Sequence, residues 1–217
     1  MQRKSNVNLP KDIRAYFGTS GSGKSHQMKK DIAKAKRVLV FDPEGEYEGI
    51  GFQPVRSVSE FARIVQANTK KPMRLALEAG GSKAFDLFCR VVWWERDARA
   101  QLIAVVDELA GVTSVAKAPD AWHAILTRGR KYGLKVCAGA QSPTEVDKTL
   151  MRQRSALWVG AMERGADYSY MAQETGISAE VFAALRPNPY WDHILSIKGK
   201  DPKIWRNGKY APVRTGV

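Results

Sequence analysis

The sequence predicts an α/β protein with a mainly parallel central sheet. Short apolar runs alternate with longer amphipathic stretches between residues 13 and 174, which is the pattern that strands and crossover helices produce. The chain has 217 residues, of which 44% are hydrophobic and 26% are charged. This length suits a single α/β domain, and this composition excludes wholesale disorder.

The pattern defines the individual elements. The predicted strands are short runs of apolar residues, and they cover residues 13–17, 38–41, 73–77, 102–106, 135–140 and 156–160. The predicted helices carry apolar residues three or four positions apart, and they cover residues 24–34, 59–66, 83–98, 121–131, 145–152 and 166–174. Ser57 and Ser59 precede an acidic first turn, so we expect a serine cap at the start of the second helix.

The pattern changes after Arg186. Pro187-Asn188-Pro189 cannot continue a helix. Two β-like runs at 192–198 and 203–206 flank the turn sequence Gly-Lys-Asp-Pro, which predicts a hairpin. We therefore expect one domain over residues 1–186 and a C-terminal β-hairpin extension of the same domain over residues 187–217.

The extension and the whole chain are basic. Between positions 196 and 217 a single acid, Asp201, stands against the basic residues Lys198, Lys200, Lys203, Arg206, Lys209 and Arg214. This segment fits a solvated tail, or a strand pair that touches a polyanion with Trp191 and Trp205 nearby. The chain as a whole has a net charge of +13, which favours a partner such as DNA, RNA or an anionic membrane surface.

Cysteine usage and hydropathy indicate the compartment. Cys89 and Cys137 each lie in an apolar stretch, so we expect buried free thiols and a reducing cytoplasm rather than a secreted disulfide scaffold. No zinc-ligand spacing is evident, and because no apolar run follows the basic residues at the N-terminus, we expect no signal peptide. The apolar run at 102–106 is far shorter than the roughly 20 residues that cross a bilayer, so we expect a soluble protein without a transmembrane segment.

The strongest motif is a phosphate-binding loop, which matches G-x-x-x-x-G-K-[ST] in full between a predicted strand and a predicted helix. Its residues are Gly18, Thr19, Ser20, Gly21, Ser22, Gly23, Lys24 and Ser25. Glycines let the backbone N–H groups wrap around phosphates. Lys24 would reach the β- and γ-phosphates of ATP, and the Ser25 hydroxyl would ligate Mg²⁺. A flexible Gly/Ser loop without a ligand is the alternative.

Two further strand ends carry polar groups. Asp107 and Glu108 follow the strand at 102–106, and α/β proteins bind ligands at the carboxyl ends of their strands. Asp107 would hold Mg²⁺, directly or through water, and Glu108 would act on the attacking water as general base. Gln141 follows the strand at 135–140 and would hydrogen-bond the γ-phosphate or the water; an ordinary loop amide is the alternative. The paired acids favour a hydrolytic motor over a small-molecule kinase.

Five motifs occur in order along residues 18–148. They are the phosphate loop, Asp-Pro-Glu-Gly-Glu-Tyr at 42–47, Val-Val-Asp-Glu at 105–108, Gly-Arg-Lys-Tyr-Gly at 129–133 and Gln-Ser-Pro-Thr-Glu-Val-Asp-Lys at 141–148. In this combination the chain resembles the HerA/FtsK superfamily of DNA-pumping ATPases. Its compact length resembles the genome-packaging ATPases of tailless, internal-membrane viruses and phages with double jelly-roll capsids.

The resemblance implies a RecA-like P-loop core of the ASCE type, a three-layer sandwich with a mainly parallel sheet and a small C-terminal β appendage. It implies a homo-oligomeric ring, usually a hexamer, with ATP between subunits, and it makes Gln141 a γ-phosphate sensor. An arginine of the neighbouring subunit would complete the site. Arg130 is the first candidate because it lies between the helix that begins at 121 and the sensor strand. Its rivals are Arg128, Arg152 and Arg154, and each of the four could instead bind DNA phosphate or cap a helix.

The implied function is ATP-driven, sequence-independent translocation of double-stranded DNA that packages a viral genome into a preformed capsid. The implied partners are capsid and portal-vertex proteins, with the viral internal membrane nearby, and the implied locations are the host cytoplasm and the virion. Three alternatives remain: a DNA-pumping ATPase of plasmid or cellular origin, a P-loop nucleotide or small-molecule kinase, and a nucleotide-gated scaffold on an anionic membrane.

The sequence does not assign a role to two further segments. Asp42, Glu44 and Glu46 could position water or link subunits, or form a simple acidic turn. The polar segment 111–119, with Ser114 and Lys117, is a candidate DNA-facing loop of the pore.

Overall fold

A computed structural model describes residues 3–113 and 118–213. Its strands are β1 Ile13–Phe17, β2 Arg37–Phe41, β3 Gln53–Val55, β4 Met73–Leu77, β5 Leu102–Val106, β6 Leu134–Ala140, β7 Ala156–Val159, β8 His193–Ile197, β9 Lys203–Arg206 and β10 Lys209–Pro212. Its α-helices are α1 Lys24–Ile32, α2 Val58–Ala67, α3 Ser82–Glu95, α4 Asp120–Arg128, α5 Lys148–Gln153, α6 Gly165–Thr175 and α7 Ala179–Ala183.

All the described strands form a single sheet in the order β10-β9-β8-β7-β1-β6-β5-β2-β4-β3. The run from β7 to β3 is parallel, while β8, β9 and β10 join it antiparallel. The strand that precedes the phosphate loop, β1, therefore lies in the interior of the sheet between β7 and β6. The loop that follows β1 is flanked on both sides by the ends of neighbouring parallel strands.

Helices cover both faces of the sheet. Side chains alternate along each strand, so Val38 and Val40 of β2 join one apolar cluster and Leu39 and Phe41 join the other. Helix α1 supplies Met28 and Ile32 to the first cluster. The remaining helices supply the second cluster, through residues that include Phe61, Phe85, Trp122, Leu150, Met171 and Phe182. The result is the predicted three-layer α/β sandwich with a mainly parallel sheet.

The structure confirms all the predicted strands and helices and moves several of their ends. The predicted helix 121–131 is wrong in its last turn, because α4 ends at Arg128 and a 3-10 turn, Arg130–Tyr132, closes at Gly133 with a φ of 75°. The predicted start at 145 is wrong as well. Pro143–Glu145 is a 3-10 turn, and α5 begins after Asp147, whose carboxylate accepts a hydrogen bond from the Thr149 amide. Ser57 caps α2 as expected, through the Glu60 amide.

The C-terminal hairpin is confirmed and is larger than predicted. Strands β8 and β9 pair antiparallel, a third strand, β10, pairs with β9, and β8 pairs with β7. The extension therefore continues the main sheet. The division of the chain at residue 186 remains a prediction. Ser114 and Lys117 of the candidate pore loop, and Arg214 of the basic segment, lie outside the described residues.

Within those described ranges, no helix combines the length and the apolar composition that a bilayer crossing demands. Both cysteines are free and buried, as expected. Burial raises the pKa of the Cys137 thiol to about 12, so this group stays protonated at neutral pH and is a poor nucleophile.

Candidate nucleotide site

The phosphate loop, the paired acids and Gln141 meet at one edge of the sheet. The last residues of β1, β6 and β7 are in register, with Phe17 opposite both Ala140 and Val159. Strand β5 lies on the far side of β6 and ends at the same edge. Residues that follow β1, β5 and β6 line a cleft of about 460 Å³. Residues 42, 43, 44 and 46 after β2 and residues 188 and 191 before β8 complete its lining.

The loop itself is fixed by backbone hydrogen bonds. The Thr19 amide donates to the Ala161 carbonyl at 2.8 Å, and the Ser22 amide donates to the Thr19 carbonyl at 3.1 Å. The Thr19 hydroxyl donates to Glu163 at 2.8 Å, which ties the loop to the segment after β7. Gly23 enters α1 with a φ of 92°, a left-handed conformation that glycine adopts without a Cβ penalty.

Lys24 lies between the loop and the two acids. Its Nζ donates to the Asp107 carbonyl at 3.2 Å and lies 3.5 Å from Oε2 of Glu108 and 3.6 Å from Oδ1 of Asp107. The Lys24 side chain is 10% exposed, so the ammonium is held in a fixed position. The phosphates of a bound nucleotide would compete with the Asp107 and Glu108 carboxylates for the Lys24 ammonium.

Asp107 is the best-connected acid of the cleft. The Ser25 hydroxyl donates to its Oδ1 at 3.2 Å, and the Tyr47 hydroxyl donates to its Oδ2, also at 3.2 Å. Burial, followed by the negative charge of Asp107, raises the pKa of Tyr47 well above its ordinary value, so Tyr47 remains a hydrogen-bond donor. The Tyr47 and Ser25 hydroxyls each bind a different carboxylate oxygen of Asp107, so together they fix the orientation of this carboxylate.

The donor set around Asp107 and Ser25 fits Mg²⁺. Both groups offer hard oxygens to the same point of the cleft. Mg²⁺ is normally held in phosphate sites by one or two protein oxygens, with phosphates and waters completing the octahedron. In the described part of the chain no cluster of three or more His, Cys, Asp or Glu could hold a metal unaided, so an ion here would depend on the nucleotide for further ligands.

The acidic segment after β2 is a structured turn. The Asp42 carboxylate accepts the amides of Glu46 and Tyr47, each at 2.9 Å. Burial raises the Asp42 pKa although these two hydrogen bonds lower it. Asp42 thus places Tyr47 against Asp107. Glu44 and Glu46 line the cleft, and Glu46 pairs with Lys29 at 3.3 Å.

Gln141 and Glu108 are more accessible than Lys24 and Asp107. Gln141 is exposed at the end of β6, and the Glu108 side chain is 34% exposed. Both can therefore meet solvent and a ligand. Gly139 of β6 makes room for the Asp107 backbone and the Lys24 side chain: a Cβ built there would lie 2.9 Å from the Asp107 carbonyl and 3.3 Å from Cδ of Lys24.

Sequence reasoning missed three residues of this site. Tyr47 belonged to a quoted motif, but its contact with Asp107 depends on the turn that Asp42 organises. Gly139 gave no local signal, because its role is the space it leaves for Lys24. Trp191 was noted only as an aromatic residue near a basic segment, and it lines the cleft.

The candidate trans arginines lie away from the cleft of their own subunit. Arg130 is at the opposite edge of the sheet, before β6, where its Nη1 donates to the carbonyls of Val7 and Leu9 at 2.6 and 2.8 Å. Arg128 lies over the Trp93 ring, and Arg154 pairs with Glu174. Arg152 is exposed on α5. An arginine that acts on a neighbour must lie outside its own site. Arg130 therefore remains a prediction, with Arg128, Arg152 and Arg154 as its rivals.

Comparisons with known proteins identify relatives of this chain. A family model described as the central domain of helicase HerA matches residues 14–80. Protein P9 of Pseudoalteromonas phage PM2 is 31% identical over 190 residues, which cover 84% of this chain and 86% of that protein.

Solved structures show the same fold. The genome packaging NTPase B204 from Sulfolobus turreted icosahedral virus 2, in complex with AMPPCP, has a TM-score of 0.70 at 15% identity over 92% of this chain and 98% of that one. The plasmid coupling protein TrwB, in complex with a GTP analogue, has a TM-score of 0.63 at 12% identity over 100% of this chain and 90% of that one.

Proposed function

The chain belongs to the HerA/FtsK superfamily of P-loop ATPases, and from that premise we propose that it hydrolyses ATP to move double-stranded DNA into a preformed viral capsid. The observation that carries the proposal is a chain of three contacts in the cleft. Ser25 Oγ lies 3.2 Å from Oδ1 of Asp107, and Lys24 Nζ lies 3.6 Å from the same oxygen and 3.5 Å from Oε2 of Glu108. This arrangement supports the proposal, because nucleotide hydrolysis needs phosphate-binding, metal-binding and water-activating groups close together.

Each residue has a distinct role in the proposed hydrolysis. The loop amides and the Lys24 ammonium hold the phosphate chain, while Ser25 and Asp107 offer oxygens to Mg²⁺. When bound, Mg²⁺ supplies charge neutralisation on the β- and γ-phosphate oxygens. Glu108 accepts a proton from the attacking water. Gln141 donates its amide to the γ-phosphate or to that water, and Tyr47 keeps Asp107 in place.

The proposed assembly is a ring, with a hexamer as the expected size. An arginine from the neighbouring subunit would stabilise the charge on the transferring phosphoryl group, and Arg130 is the first candidate. Its guanidinium is anchored on two backbone carbonyls of the N-terminal segment, which would fix its position relative to a neighbour.

The positive charge of the protein supports DNA binding that does not depend on base sequence. The net charge is +13, and Lys198, Lys200, Lys203 and Lys209 are exposed around β8–β10. Arg206 differs from these lysines, because it donates to the Ala184 carbonyl and lies beside Asp192. The four lysines are thus free to contact phosphates, and such contacts carry no base information.

Packaging is favoured over other DNA transport by the likeness to a phage protein, which extends over 84% of this chain. The structural relative B204 is a genome packaging NTPase. Capsid and portal-vertex proteins, the viral internal membrane nearby, and a location in host cytoplasm and virion belong to the same proposal. The fold likeness to the coupling protein TrwB makes plasmid DNA transfer the second candidate.

The direct test of the activity is ATP hydrolysis by the purified protein with and without double-stranded DNA. We expect DNA to accelerate phosphate release, and we expect a Glu108→Gln control to release none. DNA affinity should fall roughly 10³-fold or more between about 50 and 200 mM salt, as for a protein that neutralises several phosphates. A rate that DNA leaves unchanged would reject translocation and favour a P-loop kinase.

The packaging step is tested with empty capsids of the cognate virus, linear duplex DNA and ATP. The proposal expects DNA that resists nuclease only when protein and ATP are both present, with the Glu108→Gln protein as the matched control. Displacement of a triplex-forming strand from duplex DNA without any capsid protection would instead support the plasmid-transfer candidate.

A further inference from the structure

The phosphate loop has two unlike neighbours at the edge of the sheet. On one side lie the ends of β6, β5 and β2, with Gln141, Asp107, Glu108 and Asp42, which we term the acidic side. On the other side lie β7 and then β8, whose N-terminal end reaches the same edge because β8 runs antiparallel. The segment 186–192 that leads into β8, termed the aromatic side, therefore borders the loop opposite the carboxylates.

The aromatic side is in contact with the phosphate loop. The Asn188 amide donates to the Gly21 carbonyl at 3.2 Å. The Trp191 indole packs against Gly23, since a Cβ built at Gly23 would lie 3.2 Å from Cδ1 of Trp191. Trp191 lines the cleft and is nevertheless 49% exposed. About half of the Trp191 surface is therefore accessible to a ligand in the cleft.

The backbone of Trp191 is rigidly held although its ring is exposed. Its φ is 48°, a strained conformation for a bulky residue that surrounding contacts have to maintain. Its amide donates to the Pro187 carbonyl at 3.1 Å, and its carbonyl lies 2.9 Å from Nδ1 of His193. The buried Asp192 carboxylate beside it accepts from Arg186 at 2.7 Å. An exposed aromatic ring on a fixed backbone is a preorganised stacking surface.

The acidic side and the aromatic side together determine how a bound nucleotide is oriented in the cleft. The γ-phosphate and its metal belong on the acidic side, where Asp107, Glu108 and Gln141 lie. The remainder of the nucleotide then extends across the loop towards Gly23 and Trp191. A purine offers a flat π-face that an indole can stack on, and stacking of this kind tolerates any base.

We infer that Trp191 is the stacking platform for the nucleotide base, so that the C-terminal extension completes the nucleotide site of its own subunit. The inference rests on the proposed function to the extent that the site takes ATP. It gives the segment after Arg186, for which the sequence offered only a polyanion contact or a solvated tail, a part in nucleotide binding.

The test compares a nucleotide with a ligand that lacks the base. The Mg²⁺ complex of a non-hydrolysable ATP analogue, which stands for ATP in this test, and Mg²⁺-tripolyphosphate are titrated calorimetrically, without DNA, into the wild-type protein, Trp191→Ala, Trp191→Phe and Tyr190→Ala. Tyr190 is the matched control because it is an adjacent aromatic residue, 53% exposed, that stacks on Arg186 and is not part of the cleft lining. Thermal unfolding of each variant verifies that it is folded.

Trp191→Ala should weaken ATP binding roughly 5- to 150-fold, the range for loss of one base–aromatic stack. Tripolyphosphate binding should change less than about twofold, and Trp191→Phe should recover most of the ATP affinity. Tyr190→Ala should match the wild-type protein with both ligands. ATP should also quench part of the tryptophan fluorescence of the wild-type protein, and that quenching should be absent in Trp191→Phe.

Three results would overturn the inference. The first is a wild-type protein that binds ATP no better than tripolyphosphate. The second is a Trp191→Ala protein that loses affinity for both ligands equally, which would mean that Trp191 only shapes the loop. The third is an unchanged ATP affinity with an altered oligomeric state, which would make Trp191 a subunit contact. The test measures ligand binding only, without DNA and without hydrolysis. Its result therefore decides the role of Trp191 even if the protein turns out not to translocate DNA.

Discussion

The acidic side and the aromatic side of the phosphate loop place their residues by different means. On the acidic side each functional group directly follows a parallel strand, so the register of the sheet sets where Asp107, Gln141 and Asp42 lie. On the aromatic side the chain leaves α7, turns through residues 186–192 and enters an antiparallel strand. There the position of Trp191 depends on the buried Asp192 and its arginines.

Because of this difference, substitutions on the two sides should affect different properties of the protein. A substitution of a polar group on the acidic side leaves the sheet register intact, so its effect should fall on the reaction. A substitution on the aromatic side alters the loop that carries the proposed base platform, so its effect should fall on binding and stability. Each side can thus be disabled separately.

The largest effect is expected from Glu108→Gln on the acidic side and from Lys24→Ala in the phosphate loop beside it. Both variants should lose turnover by up to about 10⁴-fold, measured as phosphate release. Lys24→Ala should also weaken ATP binding because the ammonium contacts the ground-state phosphates, whereas Glu108→Gln should bind ATP normally. Equal loss of binding in both variants, measured with a fluorescent ATP analogue, would contradict this division of roles.

A group from outside both sides is expected to have the next largest effect. If Arg130 completes the neighbouring subunit's site, Arg130→Ala should lose roughly 10³-fold or more in turnover while it still binds ATP. A mixture of Arg130→Ala and Lys24→Ala subunits should regain partial activity, because some intact loops then face intact arginines. Absence of rescue at every mixing ratio, with subunit exchange demonstrated independently, would remove Arg130 and bring Arg128, Arg152 or Arg154 forward.

A smaller effect is expected from Tyr47→Phe, which removes one hydrogen bond to Asp107. Loss of such a supporting contact typically costs about 10- to 100-fold in metal affinity or activity. The Mg²⁺ concentration for half-maximal hydrolysis should rise, and saturating Mg²⁺ should restore most of the rate. Tyr16→Phe is the matched control, because Tyr16 is an equally buried tyrosine that donates to Asp31 at 2.7 Å, away from the cleft. The same response in both variants would deny Tyr47 a specific role.

The two sides also differ in how far the sequence could predict them. Strands β1, β4 and β5 were predicted with their observed ends, because a buried parallel strand is a largely apolar run bounded by polar residues. Strand β5 is apolar throughout, and β1 and β4 each contain a single arginine. The phosphate loop and the paired acids have a fixed place relative to such strands. Local pattern therefore sufficed to bring Lys24, Asp107 and Gln141 to one edge of the sheet.

Three short elements escaped prediction. Strand β3 has three residues and an exposed Gln53, and β10 is exposed along its whole length, so neither shows an alternation of apolar and polar residues. Helix α7 has five residues, too few for a helical period to be evident. The position of Trp191 depends on contacts between α7, β8 and β9 through Asp192, which no stretch of neighbouring residues encodes.

The smallest effect on turnover, and the clearest effect on stability, is expected from Asp192→Asn on the aromatic side. The Asp192 side chain is fully buried. Its Oδ2 accepts from Nε of Arg186 at 2.7 Å and lies 3.3 Å from Nε of Arg206, which is not aligned as a hydrogen bond. Both arginine side chains are 40% exposed, so water can solvate them when the carboxylate is replaced. The cost should therefore be about 1–3 kcal/mol, below the 3–5 kcal/mol typical of a fully buried pair, or a lower melting temperature by roughly 2–12 °C.

The pH dependence identifies the charge as the source of that stability. Burial raises the pKa of Asp192, but the hydrogen bonds and charge of Arg186, with the charge of Arg206, outweigh it and hold the pKa below its ordinary value. A carboxyl whose pKa is lowered by folding contributes stability above its unfolded pKa of about 3.9 and loses it as the pH falls through the folded pKa.

The difference in melting temperature between wild type and Asp192→Asn should thus be constant near neutral pH and shrink below about pH 4. Asp201→Asn, at an exposed position in the β8–β9 turn, should show no such difference. A gap between wild type and Asp192→Asn that persists unchanged into acid would mean that Asp192 acts through its shape, and that the aromatic side is held by packing rather than by charge.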